Sequence, residues 1–195
     1  MAPALAMAFA SASPATAVPP PPPGPPIVDC ARPIYAVDTL ICEDPQLRAA
    51  NDRVRALLDA NPAGAADRAA PADWIESQPD WFRRRALCAF RKEGRVCVAD
   101  AYAERIAVLT ALGAPPAEAW RETRCTNAPW AGKLAIARQP GAVLLGDGRG
   151  TILAVAIAAG GSGWTPFVTL KRDDGRRMRF QGPAGTVECT ARRRD

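Results

Sequence analysis

The residues of this chain that could do chemistry are its six cysteines, its arginines, and a few serines and acids beside glycine; histidine is absent. Without histidine, Ser-His-Asp and Cys-His nucleophile pairs and imidazole metal sites are excluded. The cysteines have no C-x-x-C spacing, so their even number favours disulfides over zinc binding or thioredoxin-like redox chemistry. The sequence therefore predicts a protein that is not an enzyme and binds no cofactor or metal.

Three segments near glycine could form a catalytic or anion-binding site. Residues 146–150 (GDGRG) could cradle a phosphate, but the sequence predicts no helix after them and no Lys-Ser/Thr pair completes a P-loop. Gly161-Ser162-Gly163 lacks the strand-to-helix turn and the histidine that a nucleophilic serine requires. Asp173-Asp174 is followed by Gly175, which is typical of a turn. Each segment is therefore interpreted as a turn.

The first 26 residues indicate export. Residues 1–17 are rich in alanine and end in Ala15-Thr16-Ala17, the small-x-small form that signal peptidase accepts. A signal peptide over 1–17 and a Pro-rich linker over 18–26 are predicted, with a disordered Ala/Pro leader as the alternative. Six cysteines need an oxidising compartment, so we expect a periplasmic or secreted protein. No transmembrane segment is predicted, because the longest later apolar stretch, 151–161, is half of the ~20 residues needed.

Residues 27–112 predict a small helical domain. Apolar residues at helical spacing predict helices over 46–59, from about 71 to 92 with Pro79 as a kink or restart, and over about 96–112. Such a small core would gain from cross-links. If the first two helices form an antiparallel hairpin, Cys42 lies level with Cys88, which leaves Cys30 to pair with Cys97.

Residues 124–190 predict a small β domain, after a linker over 113–123 and before a basic tail over 191–195. Residues 118–124 are expected to form a helical turn. Short strands are predicted over 134–138, 142–145, 151–158, 167–170, 177–180 and 186–190. Strands separated by glycine turns predict a small antiparallel barrel or sandwich, which a Cys125–Cys189 disulfide would close. The predicted fold class is α+β as two domains, a disulfide-stapled three-helix domain followed by this β domain.

The net charge of +5 is unevenly distributed. Residues 27–113 hold 12 basic and 13 acidic side chains, whereas residues 114–195 hold 13 basic and 7 acidic ones. The run Arg83-Arg84-Arg85 with Arg91-Lys92 could bind nucleic acid, but the interleaved acids favour a solvated helix face. No nucleic-acid partner is therefore predicted.

Three motifs of the helical half resemble those of the bacterial LprI-type lysozyme-inhibitor domain. They are ICEDPQLRAANDRV (41–54), Gln78-x-x-Trp81-Phe82-x-x-Arg85-x-x-Cys88, and Cys97-x-x-x-x-Tyr102-x-x-Arg105-Ile106. All four cysteines of that family have counterparts here, and Asn51 stands where an acid is common. The resemblance implies an exported helical domain, linked in some members to lysozyme inhibition.

The motif residues Gln78, Trp81, Arg85, Tyr102 and Arg105 have two interpretations. Their helical spacing is compatible with a buried aromatic cluster in which the arginines satisfy helix ends. The alternative is direct contact with a ligand. The scaffold role is the favoured interpretation.

The β half is similar to the MliC-like, membrane-bound inhibitors of c-type lysozyme, with a cysteine at each end and a Gly/Ser loop before a charged turn. The resemblance implies that Ser162, Gly163, Lys171 and Arg172 contact lysozyme, and the alternative is that these residues only solvate a turn. A cation in the cleft would neutralise the two carboxylates that cleave the sugar. The predicted function is an exported bacterial lysozyme inhibitor that blocks the cleft without catalysis. The alternative is a non-enzymatic envelope module that docks on a protein or an anionic wall polymer.

Overall fold

The computed structural model of the chain describes residues 27–60, 74–113 and 118–192, so the predicted signal peptide and Pro-rich linker lie outside the described residues. Four α-helices come first: α1 (Ala36–Glu43), α2 (Pro45–Ala60), α3 (Gln78–Ala86) and α4 (Gly94–Gly113). A 3-10 helix, Leu87–Phe90, joins α3 to α4. Seven strands follow: β1 (Arg121–Thr126), β2 (Leu134–Gln139), β3 (Ala142–Asp147), β4 (Ile152–Ala158), β5 (Thr169–Asp173), β6 (Arg177–Gly182) and β7 (Gly185–Ala191). The predicted α+β layout is confirmed.

The helical half packs around α4. Buried residues of α2 at helical spacing, Leu47 and Val54, join Trp81, Val98 and Tyr102 in one apolar core. The predicted second helix begins later than expected, at Gln78. Its start is set by Ser77, whose side chain accepts a hydrogen bond from the amide of Asp80, and by Pro79 in the first turn. Pro79 therefore starts this helix rather than kinking it, and the expected start near residue 71 lies outside the described residues.

Helix α1 was not predicted from the sequence. The Asp38 carboxylate accepts hydrogen bonds from the amides of Ile34 and Tyr35 and so fixes the start of α1. Asp44 then separates α1 from α2, and its carboxylate accepts a hydrogen bond from the amide of Gln46 at 2.8 Å. The acids before Pro45 predict the start of α2, but α1 also ends at these residues, and the sequence pattern does not show that. The expected three-helix domain therefore has four α-helices within the described residues.

Two of the predicted disulfide pairings are wrong. The structure joins Cys30 to Cys42 and Cys88 to Cys97, not Cys42 to Cys88 and Cys30 to Cys97. The physical reason is local: α1 brings Cys42 back beside Cys30, and the turn after the 3-10 helix brings Cys88 beside Cys97. The predicted Cys125–Cys189 disulfide is confirmed, and it joins residues that are opposite each other on β1 and β7.

The strands form a closed barrel in sequence order, with β1 paired to β7. Neighbouring strands are antiparallel except β4 and β5, which run parallel and overlap only at Ile157–Thr169 and Ala158–Leu170. This parallel pair departs from the expected antiparallel sheet. The expected helical turn over 118–124 is also wrong, because residues from Arg121 onward form β1. Pairing with both β2 and β7 stabilises β1 as a strand, and short-range sequence patterns do not reveal such pairing.

The helical half covers one side of the barrel. Ile75 and the α4 residues Val108, Ala111 and Leu112 pack against outward side chains of β2, β3 and β4, such as Leu144. Trp74 joins the apolar cluster of the barrel, and a Cβ atom added at Gly182 would lie 2.6 Å from its ring. Within the described residues, no helix has the length and apolar character needed to cross a membrane.

Candidate functional site

The segment between β4 and β5, residues 159–168, carries the predicted contact residues Ser162 and Gly163. Trp164 anchors this segment, because its side chain is only 6% exposed and belongs to the core of the helical half. The indole Nε1 donates a hydrogen bond to Glu104 of α4, and the guanidinium carbon of Arg84 lies 4.0 Å from the ring centroid. A barrel loop is thus held by the helical half.

Glu104 is the centre of the polar contacts that hold this loop. Its carboxylate accepts hydrogen bonds from Arg84 Nη2 at 3.0 Å and from the amide of Phe167 at 2.8 Å, besides the one from Trp164. Burial raises the pKa of Glu104, and the positive charge of Arg84 opposes that rise. The carboxylate is therefore a buried structural group whose hydrogen bonds fix the loop.

Arg84 links the loop to α3. It forms a two-atom ion pair with Glu76, with Nε to Oε1 at 2.7 Å and Nη2 to Oε2 at 2.6 Å, and its Nη1 donates to the carbonyl of Thr165 at 2.6 Å. Burial by itself would lower the pKa of Arg84, but the bonds and charges of Glu76 and Glu104 outweigh it and raise that pKa. The guanidinium stays charged and holds both halves together.

Ser162 and Gly163 lie next to the turn that the Cys88–Cys97 disulfide closes. Ser162 Oγ accepts a hydrogen bond from the amide of Trp164 at 3.1 Å, and a Cβ atom added at Gly163 would lie 3.9 Å from Cδ of Arg91. A groove of about 150 Å³ runs between the two segments. Its lining includes Arg84, Leu87, Cys88, Arg91, Cys97, Gly163, Trp164 and Thr165.

Large apolar side chains are exposed beside this groove. Phe90 is 83% exposed and Leu87 is 57% exposed. They are three residues apart on a 3-10 helix and so share one face. We call Leu87, Phe90, Arg91, Ser162 and Gly163 the corner surface. Neither residue is among the contact residues predicted from the sequence. The short loop that Cys88–Cys97 closes, with a sequence separation of 9, contains too little chain to bury them.

Lys171 and Arg172 lie elsewhere on the barrel. Both are exposed on β5, next to an irregularity in its pairing with β6, and Arg172 is opposite Arg179. Arg172 forms an ion pair with Asp174 at 3.2 Å. The structure therefore places the four predicted contact residues in two different surroundings, Ser162 and Gly163 at the corner surface, and Lys171 and Arg172 on an open strand.

The motif residues of the helical half lie in its interior. Trp81 Nε1 donates to the carbonyl of Ala101 at 3.2 Å. Arg105 donates from Nε to Gln78 Oε1 at 2.7 Å and from Nη1 to the carbonyl of Glu76 at 3.0 Å. Burial lowers the pKa of Arg105 to about 10. These side chains tie α3 to α4.

Tyr102 connects Arg85 to Asn51 inside the same core. Its hydroxyl accepts a hydrogen bond from Arg85 Nη1 at 2.6 Å and donates to Asn51 Oδ1 at 3.1 Å. Burial raises the pKa of Tyr102 to about 12. Asn51 also accepts a hydrogen bond from the amide of Val28 and donates one to its carbonyl, and a carboxylate at this position could not donate the second bond.

The side chains of the corner surface are suited to binding a partner. The surface offers a guanidinium, a hydroxyl and two apolar side chains, which suit a partner with both acidic and apolar groups. All six cysteines are in disulfides. Across the ranges that the structure describes, no group of three or more Cys, Asp or Glu side chains is arranged to hold a metal ion.

No protein-family model, no curated protein and no solved structure matches this chain. The two family resemblances therefore stay predictions from the sequence.

Proposed function

We propose that this protein is an exported, non-catalytic inhibitor of a lysozyme-type glycosidase, which it blocks with the corner surface. The observation that carries the proposal is the exposure of Phe90, at 83%, on a disulfide-closed turn beside Arg91 and the Ser162 loop. A contiguous exposed apolar patch beside charged and polar groups is typical of a binding surface, and here Phe90 lies beside Leu87 and Arg91.

The chemistry of the target explains why such a surface would inhibit. Glycosidases of this type need two carboxylates, one protonated and one ionised, on either side of the sugar bond. A guanidinium such as that of Arg91 would neutralise the ionised group, while Phe90 and Leu87 would cover apolar surface and exclude the sugar. Because the turn is closed by a disulfide and the loop is anchored by Trp164, little conformational entropy is lost on binding.

The disulfides support the proposed export of the protein, and its net charge indicates which kind of target it would bind. Three disulfides are formed, and such bonds persist in oxidising compartments, which supports a periplasmic or secreted protein. The net charge of +5 would speed association with a glycosidase of net negative charge and slow it with a basic one. An acidic lysozyme-type enzyme is therefore the expected target.

The test measures turnover of peptidoglycan by acidic and basic lysozymes with the full oxidised chain added. Inhibition is expected at micromolar protein and is expected to weaken about 100-fold in Phe90→Ala/Arg91→Ala, because exposed aromatic and arginine anchors each contribute about 1–2 kcal/mol or more. The matched control is Lys171→Ala/Arg172→Ala, which alters two adjacent exposed residues elsewhere and should inhibit like the wild type.

Three outcomes would contradict the proposal or part of it. If no lysozyme is inhibited at micromolar protein, the function is wrong. If the Lys171/Arg172 variant loses inhibition and the Phe90/Arg91 variant keeps it, the contact surface is the β5 strand. If both variants lose it equally while circular dichroism shows both to be folded, contact is not confined to the corner surface.

A further inference from the structure

Among the described residues, the helical half leaves one face of the barrel uncovered. Helix α4 covers the outer side of β2, β3 and β4. The outward residues of β6, which include Arg177 and Arg179, alternate with buried ones and are exposed, and so are Glu188 and Thr190 of β7. The open face thus consists of β5, β6, β7 and β1, which are neighbours in that order.

The strand register places four arginines of this face in two rows. Arg124 of β1 and Arg177 of β6 are both opposite Thr190, one on each side of β7. Arg179 is opposite both Arg172 of β5 and Glu188 of β7. Because neighbouring strands are about 4.8 Å apart, the Cα atoms of Arg124 and Arg177 are about 10 Å apart. Arg172 and Arg179 form a second row, about 7 Å further along the strands.

Exposed arginines outnumber exposed acids on this face by six to four, and Lys171 is a seventh exposed cation. The arginines are Arg124, Arg172, Arg176, Arg177, Arg179 and Arg192, and the acids are Glu122, Asp173, Asp174 and Glu188. We call the six arginines the arginine face. Arg176 belongs to it because its carbonyl accepts a hydrogen bond from Ala191 at the end of β7.

Three of these arginines have carboxylate partners. Arg172 pairs with Asp174 at 3.2 Å, Arg179 with Glu188 at 2.6 Å, and Arg192 with Glu122 at 3.2 Å. Within the described residues, Arg124, Arg176 and Arg177 form no ion pair. Asp174 also accepts backbone hydrogen bonds from Arg177 and Arg176, which lower its pKa and hold it in the turn. Three guanidinium groups therefore remain for a ligand.

We infer that the arginine face binds a linear phosphate polymer. Guanidinium groups form paired hydrogen bonds with phosphate, and six of the seven exposed cations on these strands are arginine. Cations in ordered rows on rigid strands match many anions along one chain better than a single small ion. This inference does not depend on the proposed function.

The test uses the full oxidised chain and inorganic polyphosphate, with affinity measured by calorimetry at several NaCl concentrations. The logarithm of the affinity should fall linearly with the logarithm of the salt concentration. Arg124→Gln/Arg177→Gln should weaken binding at least about tenfold and reduce that slope by about 2. Circular dichroism checks that the variant is folded.

The matched control is Arg48→Gln/Arg53→Gln, which removes the same charge from two exposed residues of α2, in the helical half. It should weaken binding less than about twofold. Phe90→Ala/Arg91→Ala should bind polyphosphate nearly like the wild type, so failure of this inference and failure of the inhibitor proposal are distinguishable.

Several results would overturn the inference. They are no binding to polyphosphate at low salt, and equal weakening by the arginine-face variant and its control. Competition by orthophosphate at the same phosphate concentration would exclude a polymer ligand. Equally tight binding of poly-glutamate would exclude phosphate as the recognised group.

Discussion

Arg85 is a fully buried guanidinium surrounded by aromatic rings. Its carbon lies 4.6 Å from the ring centroid of Phe82 and 5.2 Å from that of Trp81. Only Nη1 has a hydrogen bond among the described residues, to Tyr102, and Asp38 lies 3.7 Å from Nη2. Burial lowers the pKa of Arg85, opposed by the Tyr102 hydroxyl and the Asp38 charge. The aromatic faces provide cation–π contacts to a guanidinium whose Nε and Nη2 have no hydrogen bond among these residues.

The Tyr102 hydroxyl makes a pH-dependent contribution to stability. Its folded pKa of about 12 exceeds the unfolded value of about 10, so its contribution is full below pH 10 and is lost as pH rises through 12. We expect Tyr102→Phe to lower the free energy of unfolding by about 2 kcal/mol at pH 8. The difference from the wild type should shrink towards zero near pH 12, as followed by urea denaturation. A difference that stays constant over this range would contradict the assigned shift.

At the scale of elements, glycines let tryptophan rings approach the barrel backbone. A Cβ atom added at Gly182 of β6 would lie 2.6 Å from the ring of Trp74, and one at Gly146 of β3 would lie 2.7 Å from the ring of Trp120. Trp74 is 2% exposed and has little room to shift. These contacts help to fix the chain before α3 and the chain before β1 against the barrel.

The two glycine positions 182 and 161 should respond differently to alanine. Gly182→Ala forces the buried Trp74 ring to move and should destabilise the fold by about 1–3 kcal/mol. Gly161→Ala meets no atom within 4 Å and should be neutral or stabilising by up to about 1 kcal/mol. Thermal and urea denaturation compare the variants, and equal stability of both would show that the Trp74 contact is not tight.

At the scale of the whole molecule, the three disulfides close loops of very different lengths. Cys30–Cys42 and Cys88–Cys97 close short loops of the helical half, at sequence separations of 12 and 9. Cys125–Cys189 spans 64 residues and joins the first strand of the barrel to the last. On the chain-entropy description, the long loop stabilises by about 4 kcal/mol and each short one by about 3 kcal/mol.

The pairing predicts a distinctive peptide map. Trypsin without reduction should yield peptide 86–91 bonded to 96–105 and peptide 125–133 bonded to 180–192. Cys30 and Cys42 should remain in one peptide ending at Arg48, because Arg32 precedes proline. A bond between that peptide and 86–91 would contradict the structure. Removing Cys125 and Cys189 together should reduce the free energy of unfolding more than removing either short pair.

Sequence patterns predicted the elements that depend on neighbours along the chain. Alternation and glycine turns indicated six strands, and helical spacing indicated α2 and α4 close to their observed bounds. Predictions from short-range patterns are wrong where a segment is stabilised by residues distant in the chain. Residues 121–126 form β1 because β2 and β7 pair with them, and Leu87 is exposed because the disulfide-closed turn holds it outside the core.

Composition by itself determined that histidine chemistry is excluded and that six cysteines can pair, and the order of the residues determined that the excess positive charge lies in the second half. Only the tertiary structure decided which cysteines pair, that Trp164 docks the barrel loop on the helical half, and that Ser162 and Lys171 lie in different surroundings. It also placed Arg124 and Arg177 on either side of one strand. The reason is that composition and periodicity report local preferences, whereas these contacts join residues far apart in the chain through packing and strand register.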